Sequence, residues 1–251
     1  MMPETVLRVE NLSKTFVKDG VKIEAVRNVS FELSAGEILG IAGESGSGKS
    51  TLSRLCMRLI RPDSGEIYIC GEKLDSKSIK ALRPKIQMVF QNPADTFNPA
   101  YSVGSGLMGA GHDLGIPKEK CREKILELFS MTGLPESAMK RRPKELSGGQ
   151  LQRLAIVRAL LCDPRVLIAD EAVSSLDVSV SANIINLLSD LRESLGIAIL
   201  FISHDLAVIG HISDRVGVMY KGELVESGLT EEILGNPQHE YTKRLLDARL
   251  D

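Results

Sequence analysis

The chain has 251 residues, of which 31 are Lys or Arg and 33 are Asp or Glu, so its formal net charge is −2. That length allows one large domain or two small ones and is ample for burying a hydrophobic core. A net charge so close to zero lacks the positive field of a general nucleic-acid-binding protein, and we expect no nucleic-acid partner. Because no stretch of about 18 uncharged apolar residues occurs, we do not expect the chain to span a membrane.

The N-terminus and the cysteines indicate the cellular compartment. The first five residues lack the basic-then-apolar pattern of a secretory signal peptide. The four cysteines have no CxxC spacing, which argues against a structural zinc site or a disulfide framework; they are Cys56, Cys70, Cys121 and Cys162. We therefore expect a reducing, cytoplasmic environment in which these cysteines act as small buried hydrophobic residues.

The first predicted elements are two strands and a helix. Apolar and polar residues alternate over 29–33, as on a half-exposed antiparallel strand, whereas 37–42 is almost continuously apolar, as in a strand covered on both faces. A glycine-rich stretch follows, and then Leu52, Leu55, Cys56 and Leu59 share one helical face. Strand, glycine loop and helix form the first half of a parallel α/β unit.

The rest of the chain continues the alternation of strands and helices, with one interruption. Further buried strands are predicted at 86–90, 166–169, 197–202 and 216–219, and the spacing of Ile184, Leu188, Leu191 and Leu195 predicts an amphipathic helix. This alternation predicts a mostly parallel sheet with helices packed on it. We expect an α/β core at 1–91 and 161–235, a helical insertion at 92–160 and a C-terminal tail at 236–251.

The segment from Gly43 to Ser50 fits the phosphate-binding pattern GxxxxGK[ST] and lies between a buried strand and a helix, as its mechanism requires. Glycines let successive backbone N–H groups point at phosphate oxygens, and the helix adds its positive N-terminal end. Lys49 would reach the β- and γ-phosphates, and the Ser50 hydroxyl would bind Mg²⁺. A Ser-capped glycine turn is the less favoured alternative. The predicted nucleotide-binding residues here are Gly43, Ser45, Gly46, Gly48, Lys49, Ser50 and Thr51.

The predicted strand at 166–169 leads into two acidic residues, Asp170 and Glu171. A carboxylate at the carboxyl end of a parallel strand faces the crevice in which such sheets bind ligands. Asp170 would hold the Mg²⁺ shell and Glu171 would polarise the attacking water. Acids that end a strand often only begin a loop, but about 120 residues after a phosphate loop they indicate nucleotide hydrolysis.

The segment LSGGQ, at 146–150, begins another predicted helix. Ser147 and Gln150 have the spacing of a capping box. Gly148 and Gly149 each cost roughly 1 kcal/mol of helix stability relative to Ala, which makes sense if something approaches that backbone closely. A bare helix N-terminus is a second phosphate-binding device. The chain therefore carries two sites for a γ-phosphate, although one nucleotide has only one γ-phosphate. We therefore expect two molecules head to tail, each closing the nucleotide site of the other.

This order of motifs resembles the ATP-binding subunit of an ABC transporter over nearly the whole chain. The resemblance implies ATP and Mg²⁺ as cofactors and an α/β P-loop NTPase core, with a mostly parallel sheet, an N-terminal antiparallel strand layer and an inserted α-helical subdomain. It implies that Phe16 stacks on adenine, that Gln91 contacts Mg²⁺ and the water and links to the membrane partner, that Asp177 communicates across the dimer, and that His204 contacts the γ-phosphate. Taken singly, Phe16 and His204 are also compatible with core positions, and Asp177 with a helix cap. We name no partner for His112, His211 or His239.

Finer motifs at 89–93, 176–180 and 236–242 are similar to the oligopeptide, dipeptide and nickel importer subfamily. That subfamily implies membrane permease subunits, a second ATPase subunit that is either a paralogue or another copy, an extracellular solute-binding protein acting indirectly, and a place at the cytoplasmic face of the membrane. Ala172 and Glu240 stand where prolines are usual, and we expect activity to survive. Because the sequence ends at Asp251 without a cysteine-bearing extension, we expect no iron–sulfur site in the tail.

Two other classes of function remain open at this point. An ABC ATPase of a soluble assembly, such as an accessory protein of phosphonate breakdown, would keep the same catalytic motifs. A phosphate-loop kinase would need an acceptor site and has no use for the LSGGQ segment, and it ranks far behind.

Overall fold

The computed structural model describes residues 4–174 and 176–247. Ser175, which with Leu176 and Asp177 forms the loop that the family resemblance implies for communication across the dimer, lies outside the described residues. Residues 1–3 of the predicted core and 248–251 of the predicted tail also lie outside them. The strands are β1 (Thr5–Lys18), β2 (Val21–Ser34), β3 (Ile38–Ala42), β4 (Ser64–Ile69), β5 (Glu72–Lys73), β6 (Ile86–Val89), β7 (Val166–Asp170), β8 (Ala198–Ile202), β9 (Arg215–Tyr220) and β10 (Glu223–Leu229). The α-helices are α1 (Lys49–Cys56), α2 (Ile79–Leu82), α3 (Val103–Asp113), α4 (Lys118–Met131), α5 (Gly148–Leu160), α6 (Val178–Leu195), α7 (Leu206–Ile212), α8 (Thr230–Gly235) and α9 (Glu240–Asp247).

The strands form two sheets. A four-stranded antiparallel sheet has the order β2-β1-β4-β5, and a six-stranded sheet has the order β10-β9-β3-β8-β7-β6. In the larger sheet only β10 runs antiparallel to its neighbour, because it follows β9 through a tight turn at Lys221 and Gly222. The carboxyl ends of β3, β8 and β7 therefore lie side by side at one edge. This arrangement confirms the predicted fold class of a mostly parallel α/β core with an antiparallel strand layer.

The large sheet is buried on both faces, which explains its almost continuously apolar strands. Along β8, Ala198, Leu200 and Ile202 join a core shared with α1 and the antiparallel sheet. Ile199 and Phe201 join a second core, formed with the helices on the opposite face. Successive side chains of a strand point to opposite faces, so alternate positions supply the two cores.

Between β6 and β7 the described residues form helices and turns and no strand. Helices α3, α4 and α5 pack into the same hydrophobic core as the helix-facing side of the large sheet, through residues such as Leu107, Ile125 and Leu154. The domain boundaries at 91/92 and 160/161 stay a prediction. Among the described residues, no helix combines the length and the apolar composition needed to cross a membrane.

Two side chains predicted on buried helix faces are partly exposed. Helix α1 ends at Cys56 because Arg58 adopts a left-handed φ of 54°, so Leu59 lies outside the helix and is 46% exposed. Leu195 occupies the last position of α6, before the left-handed Gly196, and is 44% exposed. Helix α1 therefore ends before its periodic pattern does, and the prediction that Leu59 shares its helical face was wrong. Helix α6 extends through the whole of its pattern, but its last residue is not buried.

The cysteines fit the expected role of small hydrophobic residues only in part. Cys56 and Cys121 are buried, whereas Cys70 and Cys162 are partly exposed. Burial raises the pKa of the Cys56 thiol to about 12, which makes that thiol inert at neutral pH.

Substitution of Phe201 tests the packing of the helix-facing core, because the Phe201 ring is fully buried there. We expect Phe201→Ala to lower the free energy of unfolding by about 3–5 kcal/mol, because it removes apolar contacts and leaves a cavity. Val21→Ala, at a position 62% exposed, should cost less than about 1 kcal/mol. Denaturant unfolding of both variants measures the difference, and equal losses would contradict the layer assignment.

Candidate functional site

The predicted phosphate loop connects β3 to α1, and two of its glycines are required by close packing. Gly43 has a φ of 148°, and a Cβ there would overlap the carbonyl oxygen of Met219 in β9. Gly48 has a φ of 109°, and a Cβ there would overlap the carbonyl oxygen of Ala25 in β2. These backbone conformations are strained for any residue other than glycine. The loop is thus held directly against the backbone of both sheets.

The Lys49 ammonium group is buried, with 4% of the residue exposed. Its Nζ donates hydrogen bonds to the carbonyl oxygens of Gly43, at 2.6 Å, and Glu44, at 2.9 Å. Burial lowers the pKa of Lys49, while the nearby Glu171 and Asp170 carboxylates oppose that shift. The ammonium group therefore neutralises a site built from its own loop and two acids, where phosphate oxygens would be stronger acceptors.

An open cavity of about 400 Å³ lies over the phosphate loop. It brings together Glu171 and six predicted residues from the loop and α1; the six are Ser45, Gly46, Gly48, Lys49, Ser50 and Thr51. Phe16 is not among the residues that line the cavity, although it pairs across the β1–β2 hairpin with Ile23, which does line it. Phe16 is 39% exposed, so its ring is available to a planar ligand and is not a core residue.

Asp170 is held in place by two serine hydroxyl groups of α1. The Ser53 hydroxyl donates to Oδ2 at 2.8 Å, and the Ser50 hydroxyl approaches Oδ1 at 3.4 Å. Gln91 lines an adjoining cleft together with Ser50 and Asp170, and its Nε2 donates to the Ser174 hydroxyl at 3.2 Å. Carboxylate, hydroxyl and amide oxygens are the ligands that Mg²⁺ prefers, so these residues fit that ion.

Glu171 and His204 lie together at the carboxyl edge of the large sheet. Glu171 adopts a left-handed φ of 49°, and its N–H donates to the Ile202 carbonyl oxygen at 2.9 Å. The His204 Nδ1 lies 3.6 Å from Glu171 Oε1. The neighbouring strands β7 and β8 place these two residues side by side. The predicted histidine is therefore beside the predicted catalytic acid.

The LSGGQ segment forms the predicted capping box at the start of α5. The Gln150 N–H donates to the Ser147 hydroxyl at 3.3 Å, and the Ser147 N–H donates to Gln150 Oε1 at 3.1 Å. A Cβ on Gly149 would lie 2.6 Å from the Val180 side chain in α6. The close neighbour that Gly149 allows is therefore a residue of the same chain. Among the described residues, none of 147–150 lines the cavity over the phosphate loop.

Asp177 is the N-cap of α6. Its carboxylate accepts a hydrogen bond from the Val180 N–H at 2.9 Å, and this bond lowers the pKa of the carboxyl group. Capping therefore accounts for Asp177 within one chain, and its role across a dimer stays a prediction. Ala172 and Glu240 are the two residues that stand where prolines are usual in the subfamily. Ala172 is buried, and Glu240 begins α9 and forms an ion pair with Lys243 at 3.1 Å.

Sequence reasoning missed several residues of the site, among them Ser53 and Lys221. Ser53 is fully buried three positions after Ser50, a spacing that would have put both hydroxyls on one helical face. Lys221 lines the cavity from the β9–β10 turn. No local sequence pattern predicts that this residue belongs to the site. His239, for which no partner was named, is not among the residues that line the cavity; its Nδ1 accepts a hydrogen bond from the Tyr241 N–H at 3.1 Å.

The buried carboxylate of Asp170 predicts a pH-dependent stability. Burial raises the pKa of Asp170 above its ordinary value of 3.8. As the pH rises above 3.8, the Asp170 carboxyl group therefore ionises more readily in the unfolded chain than in the folded one, and its ionisation favours unfolding. We expect Asp170→Asn to raise the free energy of unfolding of the nucleotide-free chain at pH 7, with the gain disappearing below pH 3.8. Denaturant titrations across this range measure it.

Asp177→Asn is the matched control, because the pKa of Asp177 is lowered and the variant should lose stability at pH 7. Shifts of the same sign in both variants would contradict the assignment of Asp170 as a carboxylate that is costly to bury.

Comparison with known protein sequences gives a consistent set of relatives. A family profile described as "ABC transporter" matches residues 26–174. The chain is 46% identical to the glutathione import ATP-binding protein GsiA of Escherichia coli K12 over 98% of the chain and 41% of that protein. It is 46% identical to the dipeptide transport ATP-binding protein DppF of Haemophilus influenzae over 90% of the chain and 71% of that protein. The chain thus spans 41% of the length of its glutathione-import relatives.

Solved structures agree with these sequences. CbiO1 from Clostridium perfringens, part of the ABC transporter complex cbiONQ, superposes with a TM-score of 0.84 at 29% identity, over 98% of this chain and 96% of that one. The cassette MJ0796, solved as a dimer bound to ADP and Pi, gives a TM-score of 0.79 at 31% identity, over 89% and 98% of the two chains. With this fold, these motifs and these relatives, the chain belongs to the ABC transporter family, as its resemblance to the importer ATPases predicted.

Proposed function

We propose that the chain is the ATP-hydrolysing subunit of an ABC importer that takes up peptides, nickel or a similar small solute. The observation that carries the proposal is the convergence of Lys49, Asp170 and Glu171 at the phosphate loop. Binding of a triphosphate there would give Lys49 stronger acceptors than its own loop carbonyls. Phe16, which is exposed and pairs with the cavity residue Ile23, would stack on adenine.

Mg²⁺ would be held by Ser50, Asp170 and Gln91, whose oxygen atoms suit it, and would neutralise charge on the β- and γ-phosphates. Glu171 would accept a proton from the attacking water, whose oxygen bonds to the γ-phosphorus. The bond to the bridging oxygen then breaks, and ADP and inorganic phosphate leave. His204, beside Glu171, would contact the γ-phosphate and orient this reaction.

The LSGGQ segment supports a dimer as the working unit. Ser147, Gly148, Gly149 and Gln150 lie outside the cavity of their own chain and present a helix N-terminus. A second copy or a paralogue would supply that helix end to the γ-phosphate in this chain's site, as expected for a head-to-tail pair. Shifting such a dimer from about 1:99 to 99:1 closed needs roughly 5.5 kcal/mol of differential binding. Two bridging triphosphates, with several charge-assisted hydrogen bonds each, would supply it.

A cleft beside the Gln91 segment supports docking to a membrane permease. Leu59, Phe90 and Leu114 line it, and all three are exposed apolar side chains. Arg158 of α5 donates a hydrogen bond to the Thr96 carbonyl oxygen, which ties this segment to the helix that starts at LSGGQ. Cytoplasmic loops of the permease would dock here and along 92–108, placing the chain at the cytoplasmic face of the membrane. An extracellular solute-binding protein would act only through the permease.

The alternative is an ABC ATPase in a soluble assembly. The relatives named for glutathione import and dipeptide transport favour the importer. Affinity purification of the tagged chain from detergent-solubilised membranes separates the two classes. Recovery with permease subunits is expected, and recovery only with soluble enzymes would overturn the transport role.

Glu171→Gln tests the catalytic assignment. Gln cannot accept the proton from water, so we expect ATP hydrolysis to fall by at least about 10²-fold, the lower range for a general base, with ATP binding retained. The ATP-loaded variant should also accumulate as a closed dimer on size-exclusion chromatography. Lys49→Ala is the comparison variant and should lose tight ATP binding. Normal hydrolysis by Glu171→Gln would remove Glu171 from its role.

A further inference from the structure

We infer that the C-terminal helix α9 positions the phosphate loop through the hydroxyl group of Tyr241. This inference deepens the proposed function, since the loop is where the triphosphate would bind. Tyr241 would touch no nucleotide: it is a positioning residue that acts through the backbone of Glu44.

The contact joins residues 197 positions apart in the chain. The Glu44 N–H donates a hydrogen bond to the Tyr241 hydroxyl oxygen at 3.0 Å. The Glu44 carbonyl oxygen accepts a hydrogen bond from Lys49 Nζ at 2.9 Å. Glu44 is therefore held from both sides, by the tail and by the lysine that would bind phosphate.

The phosphate loop has a second anchor three residues further on. The Gly222 N–H, in the β9–β10 turn, donates to the Ser47 carbonyl oxygen at 2.9 Å. Between Glu44 and Ser47 lie Ser45 and Gly46, which line the nucleotide cavity. A Cβ on Gly46 would have no neighbour within 4 Å, so packing does not hold that part of the loop. The two anchors thus bracket the exposed turn.

The tail is itself firmly attached, so the hydroxyl group of Tyr241 has a defined position. Tyr241 is 2% exposed, and its ring stacks on Tyr220 with centroids 4.0 Å apart and an interplanar angle of 26°. The Glu226 carboxylate of β10 accepts hydrogen bonds from the Gln238 N–H, at 2.7 Å, and the His239 N–H, at 3.2 Å. These contacts fasten the start of the tail to the same hairpin that anchors Ser47.

A loop fixed at both ends loses less conformational freedom when it closes around phosphate groups. Without the Tyr241 hydroxyl, the Glu44 N–H would lose this partner and the loop would sample more conformations. The fold would remain, because a Phe ring keeps the stack on Tyr220. The consequence is weaker nucleotide binding with little change in the chemical step.

Tyr241→Phe tests this role, with Tyr68→Phe as the matched control. The Tyr68 hydroxyl bonds to Glu66 on the antiparallel sheet, away from the loop. For Tyr241→Phe we expect the Kd for ADP and the KM for ATP to rise about two- to tenfold, the range for one neutral hydrogen bond, with kcat unchanged. The denaturation midpoint should fall only slightly, because one hydrogen bond is lost from the folded chain. Hydrogen exchange of the nucleotide-free protein should be faster in the peptide covering 43–47. The control should match the wild type in Kd, KM, kcat and exchange.

Glu226→Ala provides a second route to the same effect, because it detaches the start of the tail and leaves Tyr241 intact. Faster exchange at 43–47 is expected again. If Tyr241→Phe leaves both exchange and affinity at wild-type values, or if Glu226→Ala leaves exchange unchanged, the positioning role is wrong. A wild-type chain that neither binds nor hydrolyses ATP would instead contradict the proposed function, and the exchange measurement would still decide the role of Tyr241.

Discussion

The site depends on one buried positive charge. Taking an ammonium group out of water is costly unless it is paired and hydrogen-bonded. Lys49 meets that condition through two carbonyl oxygens of its own loop and the fields of Asp170 and Glu171. Asp170 is itself buried and depends on two serine hydroxyls. Both charges therefore have partners within the chain, and a magnesium triphosphate would offer them stronger, charged partners.

The order of strands explains why distant motifs meet. Strand β8 lies between β3 and β7, so the phosphate loop after β3, the acids that end β7 and the histidine after β8 leave the sheet at one edge. Because the strands are parallel, all three connections emerge on the same side. The antiparallel sheet then adds Ile23, Glu24 and Ala25 of β2, which line the cavity. Both sheets thus contribute to the cavity.

The glycines of the LSGGQ segment indicate that another group lies close to that backbone, but their spacing does not identify the group. Their cost to helix stability indicates that something approaches the backbone closely. The structure identifies one such neighbour as the chain's own Val180, in the helix capped by Asp177. The start of α5 is therefore packed against the start of α6, so a movement of either helix end would displace the other.

The sequence by itself determined the features that depend on local spacing. The period of apolar residues predicts the buried strands, the glycine pattern with Lys49 predicts the phosphate loop, and the spacing of Ser147 and Gln150 predicts a helix cap. Local backbone geometry is enough for these, because each involves neighbours along the chain. Helix ends were less predictable: a left-handed residue at Arg58 ended α1 before its pattern did.

Only the tertiary structure decided which remote groups complete the site. Lys221 lines the cavity from a turn, and the Tyr241 hydroxyl reaches Glu44 across 197 positions. Neither residue lies in a pattern with the loop that it serves, because packing of the sheets and the tail, and not chain proximity, brings them together. The hydrogen bond between Tyr241 and Glu44 forms only when the phosphate loop, the β9–β10 hairpin and the tail have packed together.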